Sequence, residues 1–292
     1  MKYYVTIFPM MYQKETLNKL DENGVLISKI PYTKNFKYSL EFITSYALKN
    51  MEDYMDVGCR EKVFNQVNWL VDNVDENGIW KHDFKLPFYN FKPPWVNGMG
   101  QGLAISLLIR AYQLTAKQEY LDIAKRAFTP FEKQIKDGGN IFIDRKRRSW
   151  IEECPVDPAP HILSGFIYSL FGVYDLYKIK IHQSAGELWH KSIETLERNL
   201  QEYDLGFWSK YDLISDCPSE LGYHDIHIEQ LRALYKLTDI KKFKEYADKW
   251  QRYKDSSFCV QKSKIKRGLF HIKKHGVGIT RRYIEKKRWM NG

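Results

Sequence analysis

Residues 98–115 read GMGQGLAISLLIRAYQLT, an apolar segment whose first half is rich in small residues. Leu103 and Leu107 recur at the spacing of one helix face, and apolar residues fill the turns between them. Gly100 and Gly102 leave room for another helix to approach closely. The stretch therefore predicts a helix that packs inside a layer of other helices.

Further segments with helical periodicity come in pairs along the chain. Within the last three pairs the joining loops are short, so the two helices are expected to lie antiparallel as hairpins. The predicted pairs are 36–50 with 60–74, 98–115 with 117–135, 160–177 with 184–203, and 223–237 with 240–254.

The connections between the pairs resemble one another. Gly78, Gly139 and Gly206 each follow a second helix, and aromatic residues come soon after each glycine. A repeat of two helices and a Gly-aromatic connector predicts a mainly α fold, an incomplete (α/α) toroid or barrel of about four helical hairpins with the first helices inside. Because such connectors emerge at one end of the ring, functional residues are expected within them. The connectors are 75–97, 134–158 and 204–222.

Three regions are predicted along the chain. Residues 1–35 form a short extended N-terminal arm or hairpin around the turn Glu22-Asn23-Gly24, and residues 36–257 form the (α/α) barrel. Residues 258–292 form a basic C-terminal tail, in which apolar residues alternate with Lys and Arg.

The net charge of +10 is confined to the end of the chain. Residues 261–292 hold eleven Lys and Arg against one acidic residue, whereas residues 1–260 hold 35 basic and 35 acidic side chains. A uniformly basic surface for nucleic acid is therefore excluded. We expect the tail to contact a polyanionic glycan or an anionic membrane, with a solvated tail as the alternative.

Hydropathy and cysteine spacing exclude several classes of protein. The sequence has no run of about 18 apolar residues, and its start lacks the pattern of a secretory signal. The 4 cysteines lie far apart without a CxxC pair, which indicates free thiols rather than a disulfide framework or a zinc knuckle. We expect a cytoplasmic protein, at most peripheral at a membrane, without a cofactor or metal.

Five separated stretches form a more specific pattern. They read GMGQGLAIS followed by RAY (98–112), SWIEECP (149–155), LSGFIYSL ending in YDL (163–176), WSKYDL (208–213) and GYHDIHI (222–228). In this order they resemble the C-terminal catalytic domain of the heparan sulfate and heparosan D-glucuronyl 5-epimerases, whose patterns are WYEEYP, YDL and DYHxxHI. The resemblance covers roughly residues 30–255 and implies an (α/α) barrel.

The family implies an isomerase that inverts carbon 5 of D-glucuronate units in an acidic polysaccharide, giving L-iduronate. Because the carbon-5 proton is α to a carboxylate, its removal needs a group that neutralises this carboxylate. One group must take the proton, and another must return it from the opposite face. The resemblance also carries the expectation of a homodimer.

The resemblance implies roles in proton transfer for Glu153, Tyr211 and Tyr223. We expect Glu153 and Tyr223 to exchange the proton on opposite faces, while Tyr211 donates to the carboxylate or the ring oxygen. A phenol with a pKa of about 10 is a poor base at neutral pH, so a cation is expected beside it. The candidate cations are Arg110, Arg148 and Lys210.

Other candidates for substrate binding lie in the connectors and at the starts of the first helices. They are Trp80, Tyr89, Trp95, Gln101, Trp150, Glu152, His224 and His227. The aromatic residues of the first connector either stack on sugar rings or only pack the end of the ring, and Tyr211 and Tyr223 are core tyrosines in the alternative interpretation. His224 and His227 have the spacing of two metal ligands, but no third ligand has convincing spacing, which favours a structural role.

The chain departs from the family pattern near two of these positions. Cys154 and Ile151 stand where the family has tyrosines beside the Glu pair, and Ile214 stands where it has an arginine that contacts the substrate carboxylate. Two alternatives therefore stay open beside the epimerase. One is a polysaccharide lyase or unsaturated-uronate hydrolase on the same fold, and the other is a glycan-binding homologue without catalysis.

Overall fold

The structure is a computed structural model that describes residues 3–5, 17–30, 33–85, 89 and 93–273. It divides into two compact units, Met1–Asn199 and Leu200–Gly292. Parts of the predicted N-terminal arm and first connector, and residues 274–292 of the predicted tail, lie outside the described residues.

Among its described residues, unit 1 contains three helical hairpins and three short β-hairpins. Its helices are α1 (Leu40–Asn50), α2 (Val57–Asn73), α3 (Gly98–Thr115), α4 (Gln118–Arg126), α5 (Leu163–Lys178) and α6 (Gln183–Asn199). Its strands pair antiparallel as β1 (Asn18–Leu20) with β2 (Leu26–Ser28), β3 (Lys81–His82) with β4 (Trp95–Val96), and β5 (Ile141–Ile143) with β6 (Ser149–Ile151). The first of these β-hairpins lies within the predicted arm, with Gly24 in its turn at φ 72°.

Unit 2 contains a fourth helical hairpin, α7 (Leu221–Thr238) with α8 (Lys241–Asp255). A further helix, α9, follows from 257 to 273. The start of the predicted basic tail is thus helical. No helix in the described ranges is long and apolar enough to cross a membrane.

The first helix of each hairpin in unit 1 is an inner helix. α3 packs against both α1 and α5, whereas α2, α4 and α6 each pack on the first helix of their own hairpin. α3 is buried on every side from Gly98 to Ala111, as its mostly apolar sequence predicts. This is the inner and outer layering of an (α/α) toroid, and it confirms the predicted fold class.

The closest approach between inner helices is made by glycines of α3 and α5. A Cβ added at Gly172 would come within 2.3 Å of the carbonyl oxygen of Gly102, and one added at Gly102 would come within 2.6 Å of the Cα of Ser169. Further along, Arg110 of α3 contacts Asp175 of α5. Residues later in α3 contact residues later in α5, so the two helices run in the same direction and begin at the same end of unit 1.

Two features differ from the sequence-based expectation, one a helix boundary and the other the position of a glycine. The helix predicted over 117–135 ends at Arg126 and gives way to a 3-10 turn, Thr129–Phe131. Pro130 disfavours α-helical backbone at the residue before it and has no N–H to continue the ladder. In the second connector the positive φ falls on Gly138 (φ 81°) and not on Gly139, so the predicted repeat is displaced by one residue there.

Replacing Gly172 with alanine tests the contact between the inner helices. We expect Gly172→Ala to lower the free energy of unfolding by about 1–3 kcal/mol, because its methyl group meets backbone that cannot rotate away. Gly268→Ala in α9 is the matched control, since a Cβ there meets nothing within 4 Å. Denaturant unfolding followed by circular dichroism measures both. Equal stability of the two variants would contradict the packing described for α3 and α5.

Candidate active site

Glu152 and Glu153 lie where the inner helices α3 and α5 begin. They follow strand β6, and the amide N–H of Gly98 donates to the carbonyl oxygen of Glu153 at 3.0 Å. A Cβ at Gly98 would come within 2.2 Å of the carbonyl oxygen of Glu152. The absence of a side chain at the first residue of α3 therefore lets the Glu152-Glu153 backbone lie directly against the helix.

The side chain of Glu153 lies over the first turn of α5. A Cβ at Gly165 would come within 2.1 Å of Oε2 of Glu153, so only glycine leaves room for this carboxyl group. The first turn of α1 meets that of α3, because a Cβ at Gly100 would lie 3.2 Å from the amide nitrogen of Glu41. Three inner helices thus begin around one set of acidic residues. We call Glu41, Glu152 and Glu153 the carboxylate cluster.

Glu41 is paired with His82 of strand β3. Oε2 of Glu41 and Nε2 of His82 lie 3.1 Å apart, and the imidazole is buried against Phe84 and Trp95. Burial alone would raise the pKa of Glu41, but the charge of His82 and hydrogen bonds to the carboxylate lower this pKa below its usual value. Glu41 is therefore ionised at neutral pH.

Glu152 is fully buried and is held by His161. Its Oε2 accepts the backbone N–H of His161 at 3.0 Å, and its Oε1 contacts Nδ1 of the imidazole. His161 has a positive φ of 51° and stacks on Trp150 with ring centroids 4.3 Å apart. The buried carboxylate and the stacked ring fix the orientation of this histidine just before α5.

Glu153 has a carboxyl group whose pKa lies above its usual value. Burial raises its pKa, and the negative charges of Glu41 and Glu152 raise it further, to about 8. Glu153 is therefore protonated at neutral pH and loses its proton just above it. A carboxyl group in this condition is suited to general acid-base catalysis.

Unit 2 contains the two tyrosines that the sequence singles out. Tyr223 lies in the first turn of α7, and the ring of Tyr211 meets it edge to face with centroids 5.0 Å apart. Both rings are half-buried. The segment that holds Tyr211 is fixed by Trp208, whose Nε1 donates to the carbonyl oxygen of Ser219 at 2.9 Å. The structure thus brings Tyr211 and Tyr223 together as a pair.

Residues 74–252, more than half of the chain, match the sequence profile of the D-glucuronyl C5-epimerase C-terminus. The chain belongs to this family. Two motif positions have defined surroundings in the structure: Glu153 lies against the first turn of an inner helix, and the two motif tyrosines are in contact.

Individual relatives are distant. D-glucuronyl C5-epimerase of Caenorhabditis elegans is 29% identical over 208 residues, which cover 64% of this chain and 34% of that protein. An uncharacterized protein of Methanocaldococcus jannaschii is 27% identical over 212 residues, covering 70% of this chain and 68% of the other. The chain therefore spans only about a third of the length of the nematode epimerase.

Solved structures with a similar chain path include glycoside hydrolases. Unsaturated glucuronyl hydrolase from Streptococcus agalactiae has a TM-score of 0.49 and 17% identity, with 74% of this chain and 56% of that chain covered. A family 76 mannosidase from Bacteroides thetaiotaomicron has a TM-score of 0.47 and 15% identity, with 77% and 60% covered. Structural similarity at this level does not identify the substrate or the reaction of this chain.

Several residues expected to bind substrate are instead part of the scaffold of this epimerase-family domain. Nε1 of Trp80 donates to the carbonyl oxygen of Leu70 at 2.9 Å, and Nε1 of Trp95 donates to that of Phe84 at 2.8 Å. Gln101 is fully buried, and its amide donates to two backbone carbonyls. These groups hold the first connector in place, and their side-chain N–H groups donate to backbone carbonyls. Tyr89 is half-buried between segments that lie outside the described residues.

Arg110 lies far from the carboxylate cluster. It is twelve residues into α3, roughly 18 Å along the helix axis from its start. There it forms a buried ion pair with Asp175 at 2.6 Å and lies over the ring of Tyr3 at 4.9 Å. Tyr4 Oη donates to the same carboxylate at 2.6 Å. Arg110 anchors the N-terminal residues, and its charge is already paired with that of Asp175.

The other two candidate cations are also paired with acids. Arg148 contacts Asp144, and Trp150 is buried beside it with Nε1 3.3 Å from the same carboxylate. Lys210 binds Asp216 at 2.7 Å, and this lysine lowers the pKa of Asp216 below its usual value. Asp216 itself is exposed, so this ion pair is at the surface of unit 2. An anion in solution can therefore compete with Asp216 for Lys210.

His224 and His227 form part of the core of unit 2. Both imidazoles contact the hydroxyl of Ser209, at 2.7 and 2.9 Å, and His224 stacks on Trp208 at 3.8 Å. Burial lowers the pKa of His224 to about 4, and burial with the neighbouring His224 lowers the pKa of His227 well below its usual value. Both are neutral at neutral pH. Within the described ranges, no three His, Cys, Asp or Glu side chains are grouped as metal ligands.

The two departures from the family pattern lie in different surroundings. Cys154 is buried with 3% of its surface exposed, which fits a packed structural thiol. Ile214 is 49% exposed. The side chain that replaces the family arginine is therefore at the surface of unit 2, where an aliphatic group supplies no charge.

Sequence reasoning missed Glu41, His82 and His161. None lies in a motif of the family, and the first two come from segments more than fifty residues before Glu153. The one available signal was position: Glu41 is in the first turn of an inner helix, and His82 is in the first connector, where functional residues were expected.

The shifted pKa of Glu153 predicts how stability depends on pH. The folded pKa of about 8 is above that of an unfolded glutamate, so this group's contribution is complete below the unfolded pKa and is lost as pH rises through 8. Glu153→Gln keeps the shape and removes the titration. Between pH 6.5 and 8 we expect the parent to lose up to about 1.4 kcal/mol per pH unit relative to this variant.

Denaturant unfolding at several pH values, followed by tryptophan fluorescence, measures this difference. Glu187→Gln is the matched control, because that carboxylate is 65% exposed. Below pH 6.5 the depressed pKa values of His224 and His227 act in the opposite direction, so both proteins should lose stability as pH falls toward 4. Parallel curves for parent and Glu153→Gln above pH 6.5 would refute the assignment of the raised pKa.

Proposed function

We propose that the chain is a uronate 5-epimerase that converts D-glucuronate to L-iduronate units within an acidic polysaccharide. Membership of the epimerase family supports this reaction class. The observation that carries the proposal is the carboxyl group of Glu153, which holds its proton at neutral pH in a cluster where inner helices begin. The reaction requires such a group, because one proton must be delivered to carbon 5 from a positioned acid.

Glu153 is proposed as one of the two proton-transfer groups. In its protonated form it gives the proton to carbon 5, and in the reverse direction its carboxylate takes the proton from the epimeric sugar. A pKa of about 8 makes both directions accessible near neutral pH, since neither form of the group is rare there. Because Gly165 has no side chain, the carboxyl group of Glu153 lies directly against α5, and this contact limits the conformations of the glutamate.

Tyr223 is proposed as the second proton-transfer group and Tyr211 as a donor to the substrate carboxylate or ring oxygen. Their edge-to-face contact supports a joint role, since one ring orients the other. The roles follow the family motifs in which both residues stand. Lys210, next to Tyr211 in sequence and only surface-paired, is the proposed cation for this pair.

The ends of the inner helices supply further stabilisation for negative charge. The N-terminal amides of α1, α3 and α5 carry partial positive charge, and they face the region of the carboxylate cluster. The enediolate formed at carbon 5 is more negative than the substrate, so these dipoles act more strongly on the intermediate than on the ground state.

Hydrogen exchange at carbon 5 tests the reaction directly. The full chain is incubated in deuterated water with heparosan and with other glucuronate polymers, and the intact polymer is examined by NMR. We expect deuterium at carbon 5 together with L-iduronate. An unsaturated product that absorbs in the ultraviolet, without deuterium in intact uronate, would assign a lyase. No change in any polymer would leave the family fold with a glycan-binding role.

Variants of the proposed proton-transfer groups test their assignment. We expect Glu153→Gln and Tyr223→Phe each to reduce exchange by at least about a hundredfold, because each removes a group that moves the proton. Tyr211→Phe should reduce it less if that residue acts only as a hydrogen-bond donor. Glu187→Gln should exchange at the parent rate. Exchange at the parent rate by Tyr223→Phe would remove that residue from the mechanism.

A further inference from the structure

Helix α9, from 257 to 273, exposes a row of large apolar side chains. Phe258 is 70% exposed, Ile265 63%, Leu269 59% and Ile272 38%. Their spacings of seven, four and three residues place all four on one face of the helix. We call these four residues the exposed stripe. Isolated apolar residues on a surface are ordinary, but a row along one helix face is a feature that requires an explanation.

The opposite face of α9 fixes the helix to unit 2. Ser263 is buried, and Arg267 pairs with Glu220 at 2.7 Å. These contacts hold α9 in one orientation about its axis. The exposed stripe therefore points away from unit 2.

The charge of α9 has one sign. Residues 257–273 contain five Lys and Arg and no acidic residue. Lys262, Lys266 and Lys273 lie beside the exposed stripe on the helical wheel. Apolar side chains flanked by lysines are the pattern of a helix that lies in the plane of a membrane interface.

We propose that α9 lies on the surface of an anionic lipid bilayer, with the exposed stripe at the boundary of the acyl chains and the lysines at the headgroups. Burying the stripe in this boundary removes its apolar surface from water, and each nearby basic residue adds attraction to the anionic leaflet. The sequence beyond α9 adds six further Lys and Arg against one Glu, all C-terminal to residue 273.

The same observations disfavour the two other occupants of this surface. A polyanionic glycan would neutralise the lysines, but it would leave four large aliphatic and aromatic side chains in water. A second copy of the chain would cover the stripe, but it would bring two helices with five positive charges each into contact. An anionic membrane matches both the apolar side chains and the charge.

Vesicle sedimentation with the full-length chain tests the proposal. The vesicles contain either phosphatidylcholine alone or phosphatidylcholine with about one-third phosphatidylglycerol, at low and high salt. We expect the parent to bind the anionic vesicles, to bind them less at high salt, and to remain in solution with the neutral ones. The double variant Ile265→Ser/Leu269→Ser should bind the anionic vesicles at least about tenfold more weakly.

The matched control is Met55→Ser/Val57→Ser, which removes apolar side chains that are 87% and 76% exposed in unit 1, and it should bind like the parent. Circular dichroism checks that all the variants are folded. Absence of parent binding, or equal binding by Ile265→Ser/Leu269→Ser, overturns the proposal. A parent dimer that this variant dissociates would assign the stripe to a second copy. If Ile265→Ser/Leu269→Ser is no longer retained on immobilised heparosan while the parent is, the exposed stripe would be assigned to a glycan. Because no uronate is present in the vesicle assay, its failure leaves the proposed reaction untouched.

Discussion

The approach of α3 to α5 through Gly102 and Gly172 is the constraint on which unit 1 depends. A single methyl group at Gly172 would meet the Gly102 carbonyl at 2.3 Å, so the two helices are as close as their backbones allow. Parallel helices held at this distance begin side by side. The Glu152-Glu153 segment can then lie across both beginnings, because Gly98 and Gly165 present no side chains to it. The close packing of α3 and α5 therefore determines where Glu153 lies more than the connector that contains this residue does.

Bringing three carboxyl groups together determines which of them keeps a proton. Glu41 has His82 as a partner, whose charge lowers the pKa of that carboxyl group, and Glu152 is bound by the backbone and imidazole of His161. For Glu153 burial and the two neighbouring charges act in one direction, which raises its pKa to about 8. The histidines outside the motifs therefore set the chemistry of the glutamate inside the motif. Since the carboxylates interact, the proton belongs to the cluster as a coupled system, and removing His82 or His161 would redistribute it.

Local pattern was sufficient for the inner helices and for the residues whose surroundings are local, although it extended α4 too far and did not predict α9. Periodicity located every inner helix, and the motif tyrosines proved to be neighbours because Tyr211 and Tyr223 are separated by one short segment. The errors concerned two properties that the sequence does not show. One is how far apart two residues of the same helix lie along its axis, and the other is which side chains are buried among partners. Arg110 is close to Gln101 in sequence, yet the helical rise carries it roughly 18 Å from the start of α3. His224 and His227 were expected among the substrate-binding residues because the sequence does not reveal that Ser209 and Trp208 already enclose them.

The separation of charge along the chain bears on how the proposed substrate, an acidic glycan, would reach the carboxylate cluster. The first 260 residues hold equal numbers of basic and acidic side chains, so the body offers no net field to attract a polyanion over long distances. At the cluster itself the local charge is negative, which would repel the carboxylate of a uronate. The proton on Glu153 removes one of these negative charges at neutral pH, and the beginnings of the inner helices oppose the rest. The group proposed to deliver the proton therefore also lowers the electrostatic cost of binding the sugar that receives it. Both effects would be lost together as pH rises through 8.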